Sequence, residues 1–486
     1  MNNLEATINQ VIEEFDIPFE WCKSINDEIK NLHIPHDNNR KDFSDIPFVT
    51  IDGFDAKDFD DAVFCEKNQN NFRLMVAIAD VASVVKINSE IDREAFKRGT
   101  SIYFPNKVIP MLHENISNDL CSLVPDKKRN VLICEIIFDL NTEISSYDFF
   151  ESTIKSFRRF TYDEINGNIE IDNTDVNKSI ESLKILTSKL LKKRIKRKAL
   201  EIESSEPIIN IDEFGKLIEI KKQKRLFAHQ MIEESMIAAN ICAANFMNKH
   251  YGFGVYRIHE EPDFIKLESL AKFFSLKGLL ANSMNDPITS INSFVRHSNK
   301  SEDMKIFNTL ILQSLKRAKY SSKEIGHFGL QLEKYSHFTS PIRRYPDLIV
   351  HRMIKDILNK SKKIRLDETF EENLEELSSL ERRSEISSRQ VIQQMICHEL
   401  KKFVGERFST FVVNVAEFGL FCEIENYFIS GLIHVSDLGK DRYIYDGQAN
   451  ILKGRRTGKT FRIGQKINVQ LISVVPEERK ITLIPE

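Results

Sequence analysis

The chain has few cysteines and no long apolar segment. Its seven cysteines form no CxxC pair, so neither a disulfide framework nor a cysteine-based zinc site is expected, and the odd number favours a reducing, cytoplasmic location. The longest weakly polar run, residues 236–247, is too short to span a bilayer. The N-terminal residues lack the basic and apolar regions of a signal peptide. These absences argue against a secreted protein and against a membrane partner.

An excess of positive charge is also missing. The chain carries 69 lysines and arginines against 72 aspartates and glutamates, which does not by itself indicate a nucleic-acid-binding protein. Such binding would need a local basic path that the acidic remainder masks in the average. The length of 486 residues exceeds one ordinary hydrophobic core and predicts two or three domains.

Carboxylates are concentrated in residues 51–63, IDGFDAKDFDDAV. This segment contains a single cation, Lys57, and five aspartates: Asp52, Asp55, Asp58, Asp60 and Asp61. Like charges this close repel one another, so a fold that draws them together normally holds a cation. Ligands that are all oxygen favour Mg²⁺, Mn²⁺ or Ca²⁺ over zinc.

Two interpretations of this segment remain after a calcium-binding EF-hand is excluded. Counted from Asp52, the twelfth position of an EF-hand loop is Val63 instead of glutamate. The segment is therefore either a Mg²⁺ site of the kind used in phosphoryl transfer or a solvated acidic loop. The flanking residues 48–51 and 62–65 are typical of buried strands. Charges held against a core are costly when unpaired, which favours the metal site.

A second informative segment is residues 337–345, HFTSPIRRY. Arg343 and Arg344 lie just before a helix that Pro346 is expected to begin. Guanidinium groups at a helix N-terminus are suited to binding phosphate. The alternative is a surface arginine pair that contacts carboxylates.

The character of the chain changes after about residue 403. Short alternating strands punctuated by glycines predict a small all-β barrel. Phe418, Phe421 and His434 would stack on unpaired bases from one face of such a barrel, although some of its aromatic residues must form the barrel core. Residues 454–460, GRRTGKT, resemble a phosphate-binding P-loop but have three residues between the glycines where four are needed. We therefore interpret them as a basic hairpin loop.

Taken together, these motifs resemble the RNB family of exoribonucleases, RNase II and RNase R, and most closely its bacterial RNase R type. The matching segments, in family order, are TIDGFDAKDFDDAVF (50–64), YFPNKVIPML (103–112), NDLCSLVP (118–125), IEESMIAAN (232–240), GHFGLQLEKYSHFTSPIRRYPDLIVHR (326–352) and EFGLFCEIENYFISGLIHVSDL (417–438). The resemblance implies an α+β fold in which a large mixed catalytic RNB domain precedes a small OB-fold RNA-binding barrel. The expected divisions are a helical lead-in or linker at 1–45, the RNB domain at 46–400 and the barrel at 401–486.

The resemblance implies a monomeric enzyme of RNA decay and turnover. It would digest single-stranded RNA hydrolytically and processively, from 3′ to 5′, to nucleoside 5′-monophosphates, with Mg²⁺ or alternatively Mn²⁺. The alternative function is a catalytically inactive RNA-binding protein or RNA chaperone with the same fold.

The resemblance also implies roles for individual residues. Asp60 matches the aspartate most closely tied to catalysis, Arg343 the arginine on the scissile phosphate, and Tyr103 the tyrosine that packs on the 3′-terminal base. The four residues expected to bind metal are Asp52, Asp58, Asp60 and Asp61. The further residues expected to bind RNA are Glu233, Glu385, Arg344, Phe418, Phe421 and His434.

Two departures from the family pattern stand out. Ile202 lies where family members often have a phenylalanine that clamps bases opposite the tyrosine. Only about 45 residues precede the expected catalytic domain, whereas RNase R has cold-shock domains there, so we expect a shortened protein or a fragment. These departures are expected to affect the guidance of the substrate and the activity on structured RNA more than the chemical step.

Overall fold

The computed structural model describes residues 3–35, 37–167, 173–202, 207–212, 215–222, 225–275, 286–298, 304–361, 364–447 and 450–486. The α-helices are α1 (Asn3–Glu14), α2 (Lys23–Lys30), α3 (Val81–Val84), α4 (Glu90–Arg98), α5 (Tyr162–Asn166), α6 (Thr174–Lys196), α7 (Phe227–Tyr251), α8 (Phe264–Ser275), α9 (Pro287–Ser298), α10 (Met304–Ser314), α11 (Tyr345–Leu358) and α12 (Glu368–Leu400). Short helical turns lie at Asn115–Leu120, Phe328–Leu330, Lys401–Phe403, Val435–Asp437 and Pro476–Glu478.

The strands fall into one large sheet, one barrel and several small sheets. Those of the first half of the chain are β1 (Lys41–Asp42), β2 (Val49–Asp52), β3 (Asp61–Lys67), β4 (Asn71–Ala79), β5 (Ile102–Phe104), β6 (Lys107–Ile109), β7 (Lys128–Asp139), β8 (Ile144–Lys155), β9 (Arg158–Thr161), β10 (Pro207–Ile211) and β11 (Leu217–Lys222). Those of the second half are β12 (Tyr256–Ile258), β13 (Lys319–Ser321), β14 (Arg407–Ala416), β15 (Gly419–Ile424), β16 (Ile429–His434), β17 (Tyr443–Asp446), β18 (Ile451–Gly454), β19 (Thr460–Arg462), β20 (Lys466–Val475) and β21 (Lys480–Pro485).

The large sheet has seven strands in the order β1-β8-β7-β4-β3-β2-β9. Its edge strands β1 and β9 run parallel to their neighbours, and the inner pairs are antiparallel. The inner strand β4 is buried on both faces from Leu74 to Ala79, as its continuous apolar run predicts. The sheet is the base of the first hydrophobic core, and the neighbouring ends of β2 and β3 carry the aspartates.

Helix α7 packs against β4, β7, α6 and α11. Its apolar residues surround most of its circumference, which predicts a central helix, and Met231, Ala239 and Met247 are fully buried. It ends at Gly252, which adopts a left-handed conformation with φ 79°. The central helix expected from the sequence is therefore confirmed.

The C-terminal strands close into a barrel in the order β14-β15-β16-β21-β20. Gly419 permits a close approach of β15 to β16, because a Cβ atom there would lie 2.2 Å from the carbonyl oxygen of Ile433. Strands β17, β18 and β19 form a separate three-stranded sheet inserted between β16 and β20. The α+β fold with a terminal barrel agrees with the sequence prediction.

Helix α1 packs against α12, and its apolar side chains belong to the same hydrophobic cluster as the barrel core. Glu14 pairs with Arg479 across 2.8 Å, and Gln10 donates to the carbonyl of Glu477 across 2.9 Å. The N-terminal helix therefore connects the barrel to the long helix α12.

The described helices include none with the length and apolarity needed to cross a membrane. All seven cysteines are free thiols, and six of them are buried.

Candidate active site

The aspartate loop, residues 52–61, connects β2 to β3. Because these two strands are neighbours in the sheet, Asp52 and Asp61 lie at adjacent strand ends. Asp60 is 4% exposed, and its carbonyl accepts a hydrogen bond from the amide of Ala79 across 2.8 Å. The loop is thereby attached to the sheet at its C-terminal end.

The environment of the loop opposes negative charge on its carboxylates. Burial, reinforced by Asp61, raises the pKa of Asp52 to about 8. Burial raises the pKa of Asp61 to about 6, although Arg343 acts in the opposite direction. Burial also raises the pKa of Asp60 well above its usual range. Such a cluster binds protons or another cation more readily than isolated aspartates do.

Arg343 and its neighbour Ile342 contact both oxygens of Asp60. The amide of Ile342 donates to Asp60 Oδ1 across 2.9 Å, and Nε of Arg343 lies 3.5 Å from Asp60 Oδ2. The carbonyl of Arg343 accepts hydrogen bonds from Ser101 N at 3.0 Å and Thr100 Oγ1 at 2.9 Å. These bonds bring the start of β5 to the aspartate loop.

Tyr103, on β5, donates its hydroxyl hydrogen to Asp58 Oδ2 across 3.0 Å. Burial and the charge of Asp58 raise the pKa of Tyr103, so the hydroxyl remains a donor. The residue is 43% exposed. Part of it is therefore accessible to a ligand beside the aspartates.

The donor set fits a hard divalent cation. Asp52 Oδ2 and Asp60 Oδ2 are buried oxygens that accept no hydrogen bond from the described residues. Buried carboxylate oxygens without donors are suited to a cation with oxygen ligands. Within the part of the chain that the structure describes, however, no three His, Cys, Asp or Glu side chains are arranged as a ready-made coordination shell. The chemistry of the site fits a metal ion, but the four carboxylates do not converge on one point.

Glu233, on α7, lies between two arginines. Its Oε1 is 2.7 Å from Arg194 Nη1, and its other oxygen pairs with Arg225. Burial acts to raise the pKa of Glu233, but the two arginines outweigh it and lower that pKa. Arg194 also pairs with the buried Glu234 across 2.8 Å. Glu233 is therefore an ionised carboxylate paired with two arginines.

Glu385 is exposed on α12. It lies one turn after Glu381, whose Oε2 is 2.5 Å from Arg257 Nη1. Glu385 is among the groups that raise the pKa of Glu381, after burial, which is the largest cause. Helix α12 thus places Glu385 beside the ion pair that Glu381 forms with Arg257.

Arg344 points away from its neighbour Arg343. Its Nη2 donates to Asp347 Oδ1 across 2.7 Å, and Asp347 is fully buried at the start of α11. The same oxygen accepts the amide of Ser340 across 2.8 Å. Both arginines thus contact carboxylates, Arg344 that of Asp347 and Arg343 that of Asp60 in the aspartate loop.

On the barrel, three aromatic side chains cluster around β15 and β16. The rings of Phe418 and Phe421 meet edge to face with centroids 5.9 Å apart. His434 pairs with Gly419 in the strand register, is exposed, and has Nδ1 2.7 Å from Ser436 Oγ. Phe418 is 51% exposed. An aromatic surface of this kind is accessible to bases.

The segment 454–460 forms the hairpin between β18 and β19, as expected. Backbone amides of this hairpin already donate hydrogen bonds to a carboxylate of the protein itself. Asp441 Oδ2 accepts hydrogen bonds from Thr457 N at 2.8 Å and Thr457 Oγ1 at 2.6 Å, and its Oδ1 accepts from Arg456 N at 3.1 Å. A nucleotide phosphate would have to displace this aspartate.

Ile202 is half-buried and packs against the second hydrophobic cluster, which includes the barrel core. Residues 203–206 of the same segment lie outside the described residues. The structure therefore places Ile202 in a packing position.

Three residues near the site were not identified from the sequence. Tyr162, which begins α5, stacks on His229 with centroids 3.9 Å apart, and its pKa is raised by burial and then by Asp61 and Asp52. Ser122 and Arg159 form hydrogen bonds to the aspartate loop. One tyrosine, serine or arginine on its own forms no pattern in the sequence. These three residues could therefore be identified only from their contacts in the folded structure.

Comparison with known proteins identifies two domains in the chain. The model of the RNB domain matches residues 40–360, and that of the S1 RNA binding domain matches residues 401–484. Ribonuclease R of Vibrio parahaemolyticus is 36% identical over 97% of this chain and 59% of its own length. Ribonuclease R of Escherichia coli is 36% identical over 98% of this chain and 61% of its own length. The chain thus spans about three fifths of the length of these relatives.

A solved structure extends the likeness to the whole described fold. Mycoplasma genitalium RNase R in complex with ribose methylated single-stranded RNA superimposes with a TM-score of 0.94 at 30% identity, covering 100% of this chain and 78% of that one. The family models, the relatives and the shared architecture confirm the resemblance seen in the sequence, and the chain belongs to the RNB family.

Proposed function

We propose that this chain is a hydrolytic 3′→5′ exoribonuclease that degrades single-stranded RNA processively to nucleoside 5′-monophosphates in RNA decay and turnover. The observation that carries the proposal is the contact of Arg343 with the buried Asp60 beside the aspartate loop. A cation next to clustered carboxylates is suited to a reaction in which charge builds up on a phosphate. Relatives named Ribonuclease R support the same reaction.

The proposal includes a divalent cation, Mg²⁺ or Mn²⁺, held by Asp52, Asp58, Asp60 and Asp61. When bound, such an ion supplies an activated water and stabilises charge on the departing oxygen. The buried oxygens of Asp52 and Asp60 that lack hydrogen-bond donors among the described residues support these ligands. Asp60 is the ligand on which we expect catalysis to depend most.

The protein's own residues would orient the substrate. Arg343 would contact the nonbridging oxygens of the scissile phosphate, because its side chain is 47% exposed beside Asp60. Tyr103 would stack on the terminal base while its hydroxyl remains bonded to Asp58. Glu233 would accept a hydrogen bond from the ribose 2′-hydroxyl, since an ionised carboxylate has lone pairs left over after its two contacts with arginines.

The barrel would bind RNA upstream of the reacting end. Phe418, Phe421 and His434 would stack on bases of the single strand. The S1 RNA binding domain match over these residues supports this role. We further propose a monomer that acts in the cytoplasm, consistent with seven free thiols.

The alternative is an RNA-binding protein without turnover. The presence of Asp52, Asp58, Asp60, Asp61 and Arg343 argues against it. A yeast pseudonuclease shares the architecture with a TM-score of 0.73 at 19% identity, a likeness that concerns the fold alone. Activity therefore has to be measured on this chain.

The test is digestion of a 5′-labelled single-stranded oligoribonucleotide with Mg²⁺ and, in parallel, with EDTA. We expect mononucleotide release from the 3′ end only with the metal, and no digestion of the matched oligodeoxyribonucleotide. A duplex with a 3′ overhang, assayed alongside, would show whether structured RNA is degraded. Retention of intact RNA in a gel shift, with no release under any metal condition, would contradict the enzyme and support the alternative.

A further inference from the structure

The N-terminal half of the aspartate loop is attached to the sheet by one side chain from β9. Nη2 of Arg159 donates to the carbonyl oxygens of Gly53 at 2.6 Å and Phe54 at 2.5 Å. These are the two residues that follow Asp52. The guanidinium also lies 5.2 Å from the centre of the Phe59 ring. Arg159 thus contacts the loop at two places along its length.

In the C-terminal half of the loop, one hydroxyl forms hydrogen bonds on both sides of Asp58, in addition to the backbone bonds that hold Asp60. Ser122 Oγ donates to the carbonyl of Lys57 across 2.8 Å and accepts the amide of Phe59 across 3.0 Å. These two residues flank Asp58. The amide of Leu123 adds a third bond, to the carbonyl of Phe59 across 3.0 Å. Ser122 is fully buried, so its hydroxyl holds a defined position.

Among the described residues, the other contacts of residues 53–57 are mainly a turn hydrogen bond from the amide of Ala56 to the carbonyl of Gly53 at 3.2 Å and the packing of Ala56 against the first core. A Cβ atom at Gly53 would meet nothing within 4 Å. Phe54 is 79% exposed and does not anchor the loop in a core. The loop also carries like charges that repel one another. Its shape therefore depends in large part on hydrogen bonds from side chains outside it, since an irregular segment has no strand ladder to satisfy its backbone groups.

We propose that Ser122 and Arg159 are positioning residues that preset the aspartate loop for its divalent cation. This inference rests on the proposed function. Residues that orient ligands without touching the metal typically change metal affinity or activity by about 10- to 100-fold when they are removed. Among the described residues, the side-chain hydrogen bonds of Ser122 and Arg159 go to the aspartate loop and not to Tyr103 or Arg343. We therefore expect RNA binding without metal to depend on other groups.

The experiment compares four variants of the full chain. Ser122→Ala removes the hydroxyl. Arg159→Lys keeps the charge but shortens the side chain by one atom, so its ammonium falls short of the position from which Nη2 donates to both carbonyls. Ser179→Ala is the matched control for the serine. Ser179, on α6, is buried, and its Oγ accepts a hydrogen bond across 2.9 Å from the amide of Cys65 on β3, the strand that follows the aspartate loop. Arg158→Lys is the matched control for the arginine, because Arg158 pairs instead with Glu164 at 3.4 Å.

Three quantities are measured for each variant. Calorimetric titration with Mn²⁺ in the absence of RNA gives the metal affinity, and a gel shift in EDTA gives the RNA affinity. The Mg²⁺ concentration for half-maximal digestion gives the functional consequence. We expect Ser122→Ala and Arg159→Lys to weaken Mn²⁺ binding at least about tenfold and to raise the Mg²⁺ requirement equally. RNA affinity in EDTA and both control variants should stay within about threefold of wild type.

Two outcomes overturn the inference separately from the proposed function. If wild type digests RNA with metal while both variants bind Mn²⁺ like wild type, the positioning roles are wrong and the enzyme stands. If the controls weaken Mn²⁺ binding as much as the variants do, the effect reflects general destabilisation and the inference is likewise wrong. A wild type that releases no mononucleotide contradicts the proposed function itself. Should Ser122→Ala fail to fold, Arg159→Lys decides alone.

Discussion

Tyr103 donates a hydrogen bond to Asp58 across 3.0 Å, so a partly exposed aromatic ring is joined to a loop of clustered carboxylates. The two residues come from separate segments, β5 and the connection between β2 and β3. Their contact means that a nucleotide stacked on the ring would lie beside the proposed metal ligands. Positioning of this kind lowers the entropic part of a reaction barrier.

Replacing Tyr103 separates the two functions of the ring. Tyr103→Phe retains the stacking surface and removes the bond to Asp58, so we expect RNA affinity to change little while kcat falls. Tyr103→Ala should also lose about 1–3 kcal/mol of binding, the usual value of a base stacked on an aromatic ring. Single-turnover digestion and gel shifts in EDTA measure the two effects. Equal loss of RNA affinity in both variants would contradict stacking by the ring.

Asp60→Asn should abolish digestion and leave RNA binding intact. The amide is nearly isosteric and can still accept the hydrogen bond from Ile342, but it lacks the charge that a metal ligand needs. Loss of several kcal/mol of metal-dependent stabilisation corresponds to a rate at least about 10³-fold lower. Asp55→Asn, on an exposed residue of the same loop, is the matched control and should digest RNA normally. Substantial activity in Asp60→Asn would refute the assignment.

The two adjacent arginines should respond differently to substitution. Arg343→Ala should lower kcat by about 10²- to 10³-fold with little effect on stability, as expected for loss of one group that stabilises developing charge. Arg344→Ala should instead cost about 3 kcal/mol of folding free energy, because it leaves the buried Asp347 unpaired. Denaturant unfolding and single-turnover kinetics distinguish the two. A stable Arg344→Ala variant with impaired kcat would indicate that Arg344 itself contacts RNA.

The barrel face should affect binding of long RNA more than the chemistry. Phe418→Ala should weaken the affinity for a long single strand by about 1–3 kcal/mol and leave kcat unchanged. A short oligonucleotide that ends before the barrel should be unaffected. Ile472→Ala is the control, since Ile472 is similarly exposed, at 41%, on β20 of the same barrel. If both substitutions weaken binding equally, the aromatic face is not the binding surface.

A buried ionic network beneath the sheet predicts acid sensitivity. Asp80 is buried and contacts Arg40 at 2.5 Å and Lys355 at 2.6 Å. Burial acts to raise the pKa of Asp80, but the two cations outweigh it and leave that pKa below the ordinary value of 3.8. As the pH falls, the carboxylate of Asp80 is therefore protonated at a higher pH in the unfolded chain than in the folded protein. The stabilisation is complete above the ordinary pKa and is lost as the pH falls below it.

The corresponding variant is Asp80→Asn. At about pH 7 it should lose about 1.5–3 kcal/mol of folding free energy, because Arg40 and Lys355 lose the charge of Asp80 and keep only Glu151, at 3.1 Å and 3.3 Å. Its stability should also fall less steeply than that of wild type between about pH 5 and pH 3. Guanidinium unfolding at several pH values measures both effects. Parallel pH profiles for the two proteins would contradict this contribution of Asp80.

Much of the fold follows from local patterns. The continuous apolar run before Asp80 predicts the inner strand β4, and the apolar circumference of residues 224–250 predicts the central helix α7. The pattern of residues 179–202 predicts a very basic helix, and the observed helix α6 begins earlier and ends earlier, at Thr174–Lys196. Of its cations, Lys193 pairs with Glu143 and Arg194 with Glu233 and Glu234. Part of this basic face therefore serves the protein's own carboxylates.

The sequence by itself determined the composition of the aspartate loop, the strands on either side of it and the terminal barrel, because these depend on residue type and on spacing along a short segment. Only the tertiary structure decided that Arg343 contacts Asp60 while Arg344 contacts Asp347, and that Ser122 and Arg159 hold the loop. The physical reason is that each of these contacts joins a side chain to a partner brought close by packing of the whole domain. A charged group or hydroxyl could bind many partners along the sequence equally well. Only the folded structure determines which of them lies within hydrogen-bonding distance.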